Sequence, residues 1–516
     1  MSNQIAIALS FIVFLLFFTG VGIYSSSRKK NTTTDYLLAS RDVNPWLTGL
    51  SAFATAHSGG MFISTLGWTY QVGISSVWLL VGWFLGDYLA WFFIHKPLRV
   101  ISDETASETI GAFLAAESNS PRKQVRVTPQ TATVSKFNSD ITSVRLQAPT
   151  YTEERGMQPP QKNRSIAIVS ALITIVFLGA YAAAQLLAGS KALHVIFGWN
   201  YNWGIILGAI VIVTYCFSGG IRASIWTDAL QSILMMVAMI MLLVIAVTAC
   251  GGLGEMWLSL AQIDPSLVDP IPQGLQFGFG LFMLSWLVAG VGVVGQPHIM
   301  VRAMVIDNAE QIGISRNIYA VSYVIFSTAA VIVGLCARVL LPGLMDGGDP
   351  ELALPQMAIA LLPALLVGVI LAGIFSAVVS TADSQILSCS AALTQDLFPV
   401  MGRSYGLVKV GTLIVTAIII AIALGSNKNM FALGIFAWSA LASGLGPLLM
   451  LRVWRFPVNA TVAVTMMIIG ITTAAIWNGV LQFSGSIYEV LPGMLAGFLV
   501  YGIALLIDKQ RARNGI

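Results

Sequence analysis

The segment Ser376–Leu397 reads SAVVSTADSQILSCSAALTQDL, and it places hydroxyl groups and one carboxylate inside an apolar run. Four of its residues share one face of a helix, because they are spaced at i, i+3, i+4 and i+7: Ala377, Ser380, Thr381 and Ser384. Polar groups are costly in hydrocarbon, and ionisable residues inside membrane helices usually mark a functional site. The pattern therefore predicts a membrane helix that offers oxygen ligands to a small hard cation, with Asp383 beside them.

The composition indicates an integral membrane protein. Of its 516 residues, 56% are hydrophobic and 10% are charged, and the mean hydropathy is +0.81. Soluble domains carry about 25% charged residues, whereas apolar runs of about 20 residues, which recur along this chain, span bilayers. We therefore expect an all-α polytopic membrane protein in contact with the lipid bilayer. The net charge of +4 gives no reason to expect a nucleic-acid partner.

The hydrophobic runs predict about 13 transmembrane helices. No basic residue precedes the first run, so we interpret it as a retained helix rather than a signal peptide. The predicted spans are 5–25, 44–67, 74–96, 164–190, 201–219, 223–249, 275–297, 316–342, 357–388, 405–425, 429–451, 457–477 and 486–507. An odd number of helices places the two chain ends on opposite sides of the membrane.

The connecting loops differ in charge, and this difference predicts the orientation. One set of loops and flanks holds most of the basic residues, and we assign Arg222, Arg302 and the tail from Lys509 to it. The opposite set holds few basic residues, namely Lys191, Arg338 and Lys428. Because loops rich in Lys and Arg stay in the cytoplasm, we expect a multi-pass protein of the cell (inner) membrane. Its N-terminus would be outside and its C-terminus in the cytoplasm.

Two apolar segments contain helix-breaking residues: 50–61 reads LSAFATAHSGGM, and 289–297 reads AGVGVVGQP. Broken membrane helices are tolerated where they line a cavity. Each segment opens a block of five predicted helices, which is typical of an inverted-repeat transporter with its site at the bilayer midplane. The alternative for each segment is glycine used for close helix packing.

These breaks predict a division of the chain into four parts. They are an N-terminal helix and loop (1–43), a first repeat (44–274), a second repeat (275–451), and C-terminal helices with a cytoplasmic tail (452–516). The first repeat contains the polar loop 117–164, which we expect to be disordered or loosely ordered. For this loop an inert cytoplasmic linker is favoured over a regulatory role.

Three carboxylates lie within predicted helices. Asp383 follows the hydroxyl stripe, so a cation-binding role is favoured for it. Asp228 lies near the start of its helix, which leaves both a cation ligand and a solvated helix end open. Asp87 has no polar company, so we expect a structural hydrogen bond. The four histidines and four cysteines form no metal-binding motif, and the sequence has no phosphate-binding glycine loop and no evident nucleophile–base pair. We therefore expect transport driven by an ion gradient rather than an enzyme.

Sodium is the cation that this pattern suits best. A helix break frees backbone carbonyl groups, and hydroxyl groups on a facing helix complete a shell of neutral oxygens. Such a shell binds weakly enough to release the ion on the other side. We expect the carbonyl groups to come from residues 54–57 and the hydroxyl groups from Ser380 and Thr381.

Six motifs give the chain a resemblance to the sodium/solute symporter family, and within it to the bacterial members that carry proline. The motifs are DYLLASR (Asp35–Arg41), SGGIRASIWTDALQ (Ser218–Gln231), GQPHIMVRAM (Gly295–Met304), VVSTADSQILSCSAALTQDLF (Val378–Phe398), AWSALASGLGP (Ala437–Pro447) and YEVLPGM (Tyr488–Met494). The resemblance covers nearly the whole chain. It implies a LeuT-like fold of 13 helices with an inverted 5+5 repeat, which works by alternating access.

The resemblance also implies two cation sites. The ligands of the principal sodium site would be Ala54, His57, Ala377, Ser380 and Thr381. Asp228 matches an aspartate that acts, in members with a second sodium, with positions matching Ser380, Asp383 and Ser384. Those members have a hydroxyl where this chain has Asp383. Asp383 would therefore either strengthen a cation site or bind a proton.

The same resemblance indicates where a substrate would bind. The predicted substrate positions are Ser58, Gly60, Ala289, Val293 and Pro297. The proline carriers have Trp where Gly60 and Ala289 stand, and Tyr where Val293 stands. Loss of these aromatic walls predicts a roomier pocket, because aromatic walls shape a pocket around a small ring.

The expected function is sodium-coupled import of a small organic solute, with proline or a related amino acid favoured. A monocarboxylate or an osmolyte, and proton coupling through Asp228 and Asp383, stay open as alternatives. A membrane solute sensor is a further alternative from another class of protein. Sodium and the solute are the expected partners, and no obligatory protein partner is indicated.

Overall fold

The structure is a computed structural model, and it describes residues 3–116, 163–345, 349–425 and 430–514. Within these ranges the chain is helical and contains no β-strand, as predicted. An isolated bridge joins Val43 and Ile306. Most of the loop 117–164 lies outside the described residues, so its predicted disorder is untested.

Among the described residues, 11 helices are long and apolar enough to cross a membrane. Two of them, Gly59–Glu104 and Tyr201–Ala249, have 46 and 49 residues, whereas one crossing needs about 20. The first divides at the 3₁₀ turn Gly73–Ser76, and the second divides at Gly220. The described chain therefore crosses about 13 times, in agreement with the sequence.

The membrane helices follow the predicted order. They are α1 (Asn3–Ser25), α2 (Pro45–Ala56), α3 (Gly59–Val72), α4 (Val77–Ala90, continued by Trp91–His95 and Lys96–Glu104), α5 (Arg164–Phe197), α6 (Tyr201–Ala249), α7 (Gly278–Val291), α8 (Pro297–Val305), α9 (Ile312–Leu340), α10 (Ala364–Leu397), α11 (Tyr405–Gly425), α12 (Met430–Val453), α13 (Ala460–Gly479) and α14 (Val490–Asn514). Shorter helices outside these crossings are Thr33–Leu38, Ile110–Ala115, Leu253–Ile263 and Ala353–Leu361.

Both predicted breaks are present, and the two broken helices run in opposite directions across the molecule. The first separates α2 from α3, and the second separates α7 from α8. Backbone hydrogen bonds join Val43, just before α2, to Val305 and Asp307 at the end of α8, with N–O distances of 3.2 and 3.1 Å. The start of the first broken helix therefore meets the end of the second. This is the relation expected of inverted repeats.

The glycines of the second break have two separate roles. Gly290 lies in the last turn of α7, and a Cβ there would collide with the backbone of Trp83 in α4. Gly292 and Gly295 lie in the 3₁₀ turn between α7 and α8, where a Cβ would meet the backbone or side chain of Ala442. Close packing and a helix break, which the sequence left as alternatives, both apply to this segment.

The kink in α6 depends on a glycine inside one of the six motifs. Gly220 has φ +58° and ψ −143°, a conformation that is essentially restricted to glycine. A Cβ at this position would also collide with the carbonyl oxygen of Tyr36 and approach its ring. Two residues later, Arg222 donates a hydrogen bond to Asp35 over 3.0 Å, so two of the motifs meet here.

Ion pairs collect on one end of the molecule, which we call the basic face (residues 26–43, 96–116, 306–316 and 452–459). They link Arg41 to Asp103, Lys96 to Glu310, Arg222 to Asp35 and Arg455 to Glu104. The opposite end carries the pair of Lys191 with Glu351. The loops that the sequence grouped by charge therefore share a face in the folded protein.

We predict that Gly220→Ala destabilises the protein by about 1–3 kcal/mol, because the side chain imposes backbone strain at the kink. The matched control is Gly313→Ala in α9, where a Cβ would meet no neighbouring atom within 4 Å. Thermal unfolding of the purified proteins in detergent measures the difference. Equal melting temperatures for the two variants would contradict the argument from backbone strain.

Candidate functional site

The first helix break leaves two carbonyl groups for side chains to use. The last regular bond of α2 runs from His57 N to Phe53 O, and α3 begins at Gly59 with Ser58 Oγ accepting a bond from Met61 N. A continuous helix would bond the carbonyl groups of Ala54 and Thr55 to N–H groups four residues ahead. Here these carbonyl groups accept bonds from α10 instead.

The hydroxyl groups of α10 meet the break as the sequence predicted. Ser380 Oγ lies 3.2 Å from Ala54 O and 3.3 Å from Ala377 O. Thr381 Oγ1 donates to Thr55 O over 3.2 Å rather than to Ala54. Four predicted positions therefore lie together, and Thr55 is an additional oxygen donor that the sequence analysis did not select.

His57 is fully enclosed, and its ring has a packing role. Its Nδ1 lies 3.1 Å from the carbonyl oxygen of Phe53. The ring packs against Phe53, Tyr323 and Phe326, with centroid distances of 4.4, 4.7 and 5.2 Å. Only the carbonyl group of His57 is therefore a candidate sodium ligand.

Asp228 lies in the protein interior, closer to the basic face than the carbonyl and hydroxyl groups that meet at the first helix break. Its side chain is fully buried, so the alternative of a solvated helix end is wrong. Asp228 Oδ2 accepts hydrogen bonds from Ser51 at 2.8 Å and from Arg302 at 3.0 Å. Thr55 and Ser224 lie 3.4 Å from the same oxygen. The part of α6 that follows the kink at Gly220 carries Asp228, and it approaches α2 through the contact of Asp228 with Ser51.

Arg302 is the residue whose environment the sequence analysis assigned wrongly. It was grouped with the charged loop flanks, but the structure buries it to 1% exposure inside α8. Its Nη2 contacts Asp228, Ser384 and Ser224, and Nη1 donates to the carbonyl oxygen of His298. The motif GQPHIMVRAM could have indicated this position, because Pro297 starts a helix that carries Arg302 inward.

Asp383 and Asp87 also form hydrogen bonds with buried side chains. Asp383 accepts hydrogen bonds from Tyr215 at 2.6 Å, Ser384 at 2.8 Å and Ser224 at 3.1 Å. Asp87 pairs with the hydroxyl group of Tyr319, in line with the structural role predicted for it. We name the group Asp228, Arg302, Asp383, Ser224 and Ser384 the buried charge cluster.

Thr55 and Ser384 connect the buried charge cluster to the carbonyl and hydroxyl groups that meet at the first helix break. Thr55 uses its carbonyl oxygen to accept from Thr381, while its hydroxyl group lies 3.4 Å from both Asp228 and Ser384. Ser384 Oγ also lies 2.8 Å from the carbonyl oxygen of Ser380, which competes with Asp383 for its one hydroxyl proton. The two candidate cation sites are therefore adjacent layers of one polar network.

A cavity of about 360 Å³ extends from the first break toward the face that carries Lys191 and Glu351. Ser58 and Gly60 line it, as expected of substrate positions. The other predicted substrate positions do not line it: Ala289, Val293 and Pro297. Ala289 and Val293 are fully buried beside the second break, and Pro297 borders a separate cavity of about 30 Å³ toward the basic face.

The cavity has aromatic walls, although the positions predicted to carry them have small side chains. The walls include Trp83, Tyr181, Trp286, Trp438 and Tyr488. The ring of Trp83 lies 4.8 Å from that of Trp438, and that of Trp286 lies 4.7 Å from that of Tyr488. The cavity therefore has aromatic walls that come from positions the sequence analysis did not select.

Comparison with known proteins supports a transporter at every level. The model of the sodium:solute symporter family matches residues 36–122 and 150–470. A sodium/proline symporter of Escherichia coli (strain K12) is 28% identical, with 97% of this chain and 93% of the relative covered. A sodium/proline symporter of Staphylococcus aureus (strain Newman) is 27% identical, with 99% and 94% covered.

Two solved structures share the fold. A Na⁺-coupled sialic acid symporter in a substrate-bound outward-open state has a TM-score of 0.74 at 18% identity, with 96% of this chain and 97% of that chain covered. A closed transporter of the nucleobase-cation-symport-1 family has a TM-score of 0.52 at 15% identity, with 91% and 95% covered. Both have the LeuT fold, which confirms the predicted fold class. The family model covers most of the sequence, and the chain belongs to the sodium:solute symporter family.

Proposed function

We propose that this sodium-coupled symporter imports proline or a related small amino acid, and that sodium binds between the first helix break and α10. The observation that carries the proposal is the contact of Ser380 with the carbonyl oxygens of Ala54 and Ala377. This contact brings the oxygens of two separate helices to one point beside the solute cavity. The two relatives named sodium/proline symporter support proline as the first solute to test.

The proposed sodium ligands are Ala54, His57, Ala377, Ser380 and Thr381, and we add the carbonyl oxygen of Thr55. All of them are neutral, so the ion would be held loosely enough to leave. Sodium between α2 and α10 would hold the break in the form that borders the large cavity. A solute that favours the same form would bind more tightly with sodium present, and sodium with the solute present.

The start of α3 supports a solute that carries a carboxylate. Ser58 caps this 14-residue helix, and both Ser58 and Gly60 line the cavity. The N-terminal end of a helix carries a partial positive charge, which favours a negatively charged group nearby. Among the described residues that line the cavity, Lys191 and Glu351 carry charge, and they pair with each other over 2.8 Å. An amino acid or a monocarboxylate fits this arrangement better than an uncharged osmolyte.

We also propose that the N-terminus is outside and the C-terminus in the cytoplasm. The basic face would then be cytoplasmic, and the large cavity would extend toward the outside. The concentration of Arg and Lys on the basic face supports this orientation. Import would then follow from closing the outer cavity and opening a path past Pro297.

Ser380→Ala and Thr381→Ala should each raise the sodium concentration for half-maximal uptake about tenfold, because each removes one oxygen ligand. The matched control is Ser376→Ala, one turn earlier on α10, whose hydroxyl group has no hydrogen-bond partner among the described residues. The measurement is uptake of labelled proline into proteoliposomes over a range of sodium concentrations. Unchanged sodium activation in both site variants would refute the proposed sodium site.

Trp438→Ala should raise the solute KM about tenfold, because it removes an apolar wall of the cavity. Trp438→Phe keeps a ring at this position and should cost much less. Sodium-driven uptake at varied solute concentrations gives both values. Equal KM values for the alanine variant and the unmodified protein would show that the solute binds elsewhere.

Cysteine labelling tests the orientation. Cys250 is half-buried and would be replaced by serine, while Cys216, Cys336 and Cys389 are buried. In this background Gln71→Cys at the cavity should react with an impermeant maleimide added outside intact cells. Lys509→Cys in the exposed tail should react only after the cells are permeabilised. The reverse pattern would invert the proposed topology.

A further inference from the structure

The guanidinium group of Arg302 lies where the sequence predicted a second cation. That site was expected from Asp228, Asp383 and Ser384, together with Ser380. Nη2 of Arg302 lies 3.0 Å from Asp228 Oδ2 and 3.1 Å from Ser224 Oγ, and it also contacts Ser384 Oγ. Ser224 in turn donates to Asp383 over 3.1 Å. A positive charge that belongs to the protein therefore already contacts the oxygens of that site.

We propose that Arg302 acts as a tethered cation in the second site, so that the protein binds and carries one sodium per transport cycle. This inference rests on the proposed function, since it assumes that sodium binds at the layer formed by Ala54, Ser380 and Thr381. It assigns Arg302 as the residue that determines sodium stoichiometry. It also gives Asp383 a defined purpose, which is to supply the negative charge that remains after Asp228 pairs with Arg302 and that sodium then neutralises.

Charge counting carries the argument. We count Asp228 and Asp383 as ionised, because hydroxyl groups and the guanidinium group of Arg302 donate hydrogen bonds to them, and we count Arg302 as +1, so the cluster has a net charge of −1. The proposed sodium site at the first helix break, which we call the sodium layer, is built from carbonyl and hydroxyl oxygens and contributes no charge. One sodium therefore brings the two layers to neutrality. A second sodium would leave one uncompensated positive charge in the protein interior, which is strongly unfavourable.

The surroundings of the cluster add no further charge to this count. Tyr215 and Ser51 approach the two carboxylates as hydroxyl donors. His298, one turn before Arg302 on α8, is fully buried, and neither of its ring nitrogens has a hydrogen-bond partner among the described residues. A second positive charge beside the guanidinium group would be repelled, so we count His298 as neutral.

The sodium layer is close enough to respond to this charge. Thr55 touches both layers, and Ser384 Oγ lies 2.8 Å from the carbonyl oxygen of Ser380 one turn away. Neither layer is exposed to water, so the attraction between sodium and the net negative charge is screened weakly. The negative charge therefore attracts sodium without contacting it, and the neutral ligands still allow release.

Equilibrium binding of sodium-22 to the purified full-length protein measures the number of sites directly, without a solute. We expect one sodium per chain in the unmodified protein. Arg302→Gln changes the cluster charge to −2 and should admit a second sodium. Arg302→Lys keeps the charge and should bind one. Asp383→Asn brings the cluster to neutrality, so that one bound sodium would leave an uncompensated positive charge, and the half-saturating sodium concentration should rise at least about tenfold.

Two results would overturn the inference: two sodium ions per unmodified chain, or one sodium with unchanged affinity in Arg302→Gln. If Arg302→Gln does not fold, Arg302→Lys and Asp383→Asn decide the matter, since an unchanged sodium affinity in Asp383→Asn contradicts the charge count. The ratio of sodium-22 to labelled proline taken up by proteoliposomes separates the two levels of proposal. Two sodium ions taken up per proline would refute only this inference. Proline uptake that does not depend on sodium would refute the proposed function.

Discussion

The carbonyl groups released between α2 and α3 are the feature on which the rest of the site depends. Backbone groups inside a membrane protein must find partners, because no water is present to supply them. Ser380 and Thr381 meet this requirement for Ala54 and Thr55, and in doing so they hold α10 against the break. A sodium ion could be bound by the same carbonyl and hydroxyl oxygens if the hydroxyl hydrogens turned away, without a change in the backbone. The same requirement that stabilises the fold therefore prepares a place for a cation.

Beneath that layer, the buried charge cluster joins three helices that belong to different parts of the chain. Asp228 comes from α6, Arg302 from α8 and Asp383 from α10, and all three are almost completely enclosed. Buried ion pairs are retained only where hydrogen bonds satisfy the remaining donors and acceptors. The serine hydroxyl groups of Ser224 and Ser384 meet most of this demand. One oxygen, Asp228 Oδ1, has no partner among the described residues.

The sequence predicted features whose cause is local. The i, i+3, i+4 spacing at Ser380 and Thr381, and the glycine and serine residues around Ser58, report helix faces and helix breaks directly. Arg302 could not be placed in this way, because its burial depends on α8 turning inward after Pro297. The aromatic walls were missed for the same reason: Trp83 and Trp438 come from helices that meet only in the folded protein. Local patterns predict which groups are present, and tertiary packing decides what they contact.

The opposite directions of the two broken helices link these features to movement. The bond between Val43 and the end of α8 ties the start of the first broken helix to the segment that carries Arg302. A change in the tilt of α2 would therefore move α8 as well, and with it the positive charge beneath the sodium layer. Sodium at the proposed site would contact α2 and α10, and Arg302 contacts Ser51 and Ser384 on the same two helices from the adjacent layer. A shift of either would alter the electrostatic environment of the other, which is the kind of coupling that a symporter needs between ion binding and a change of shape.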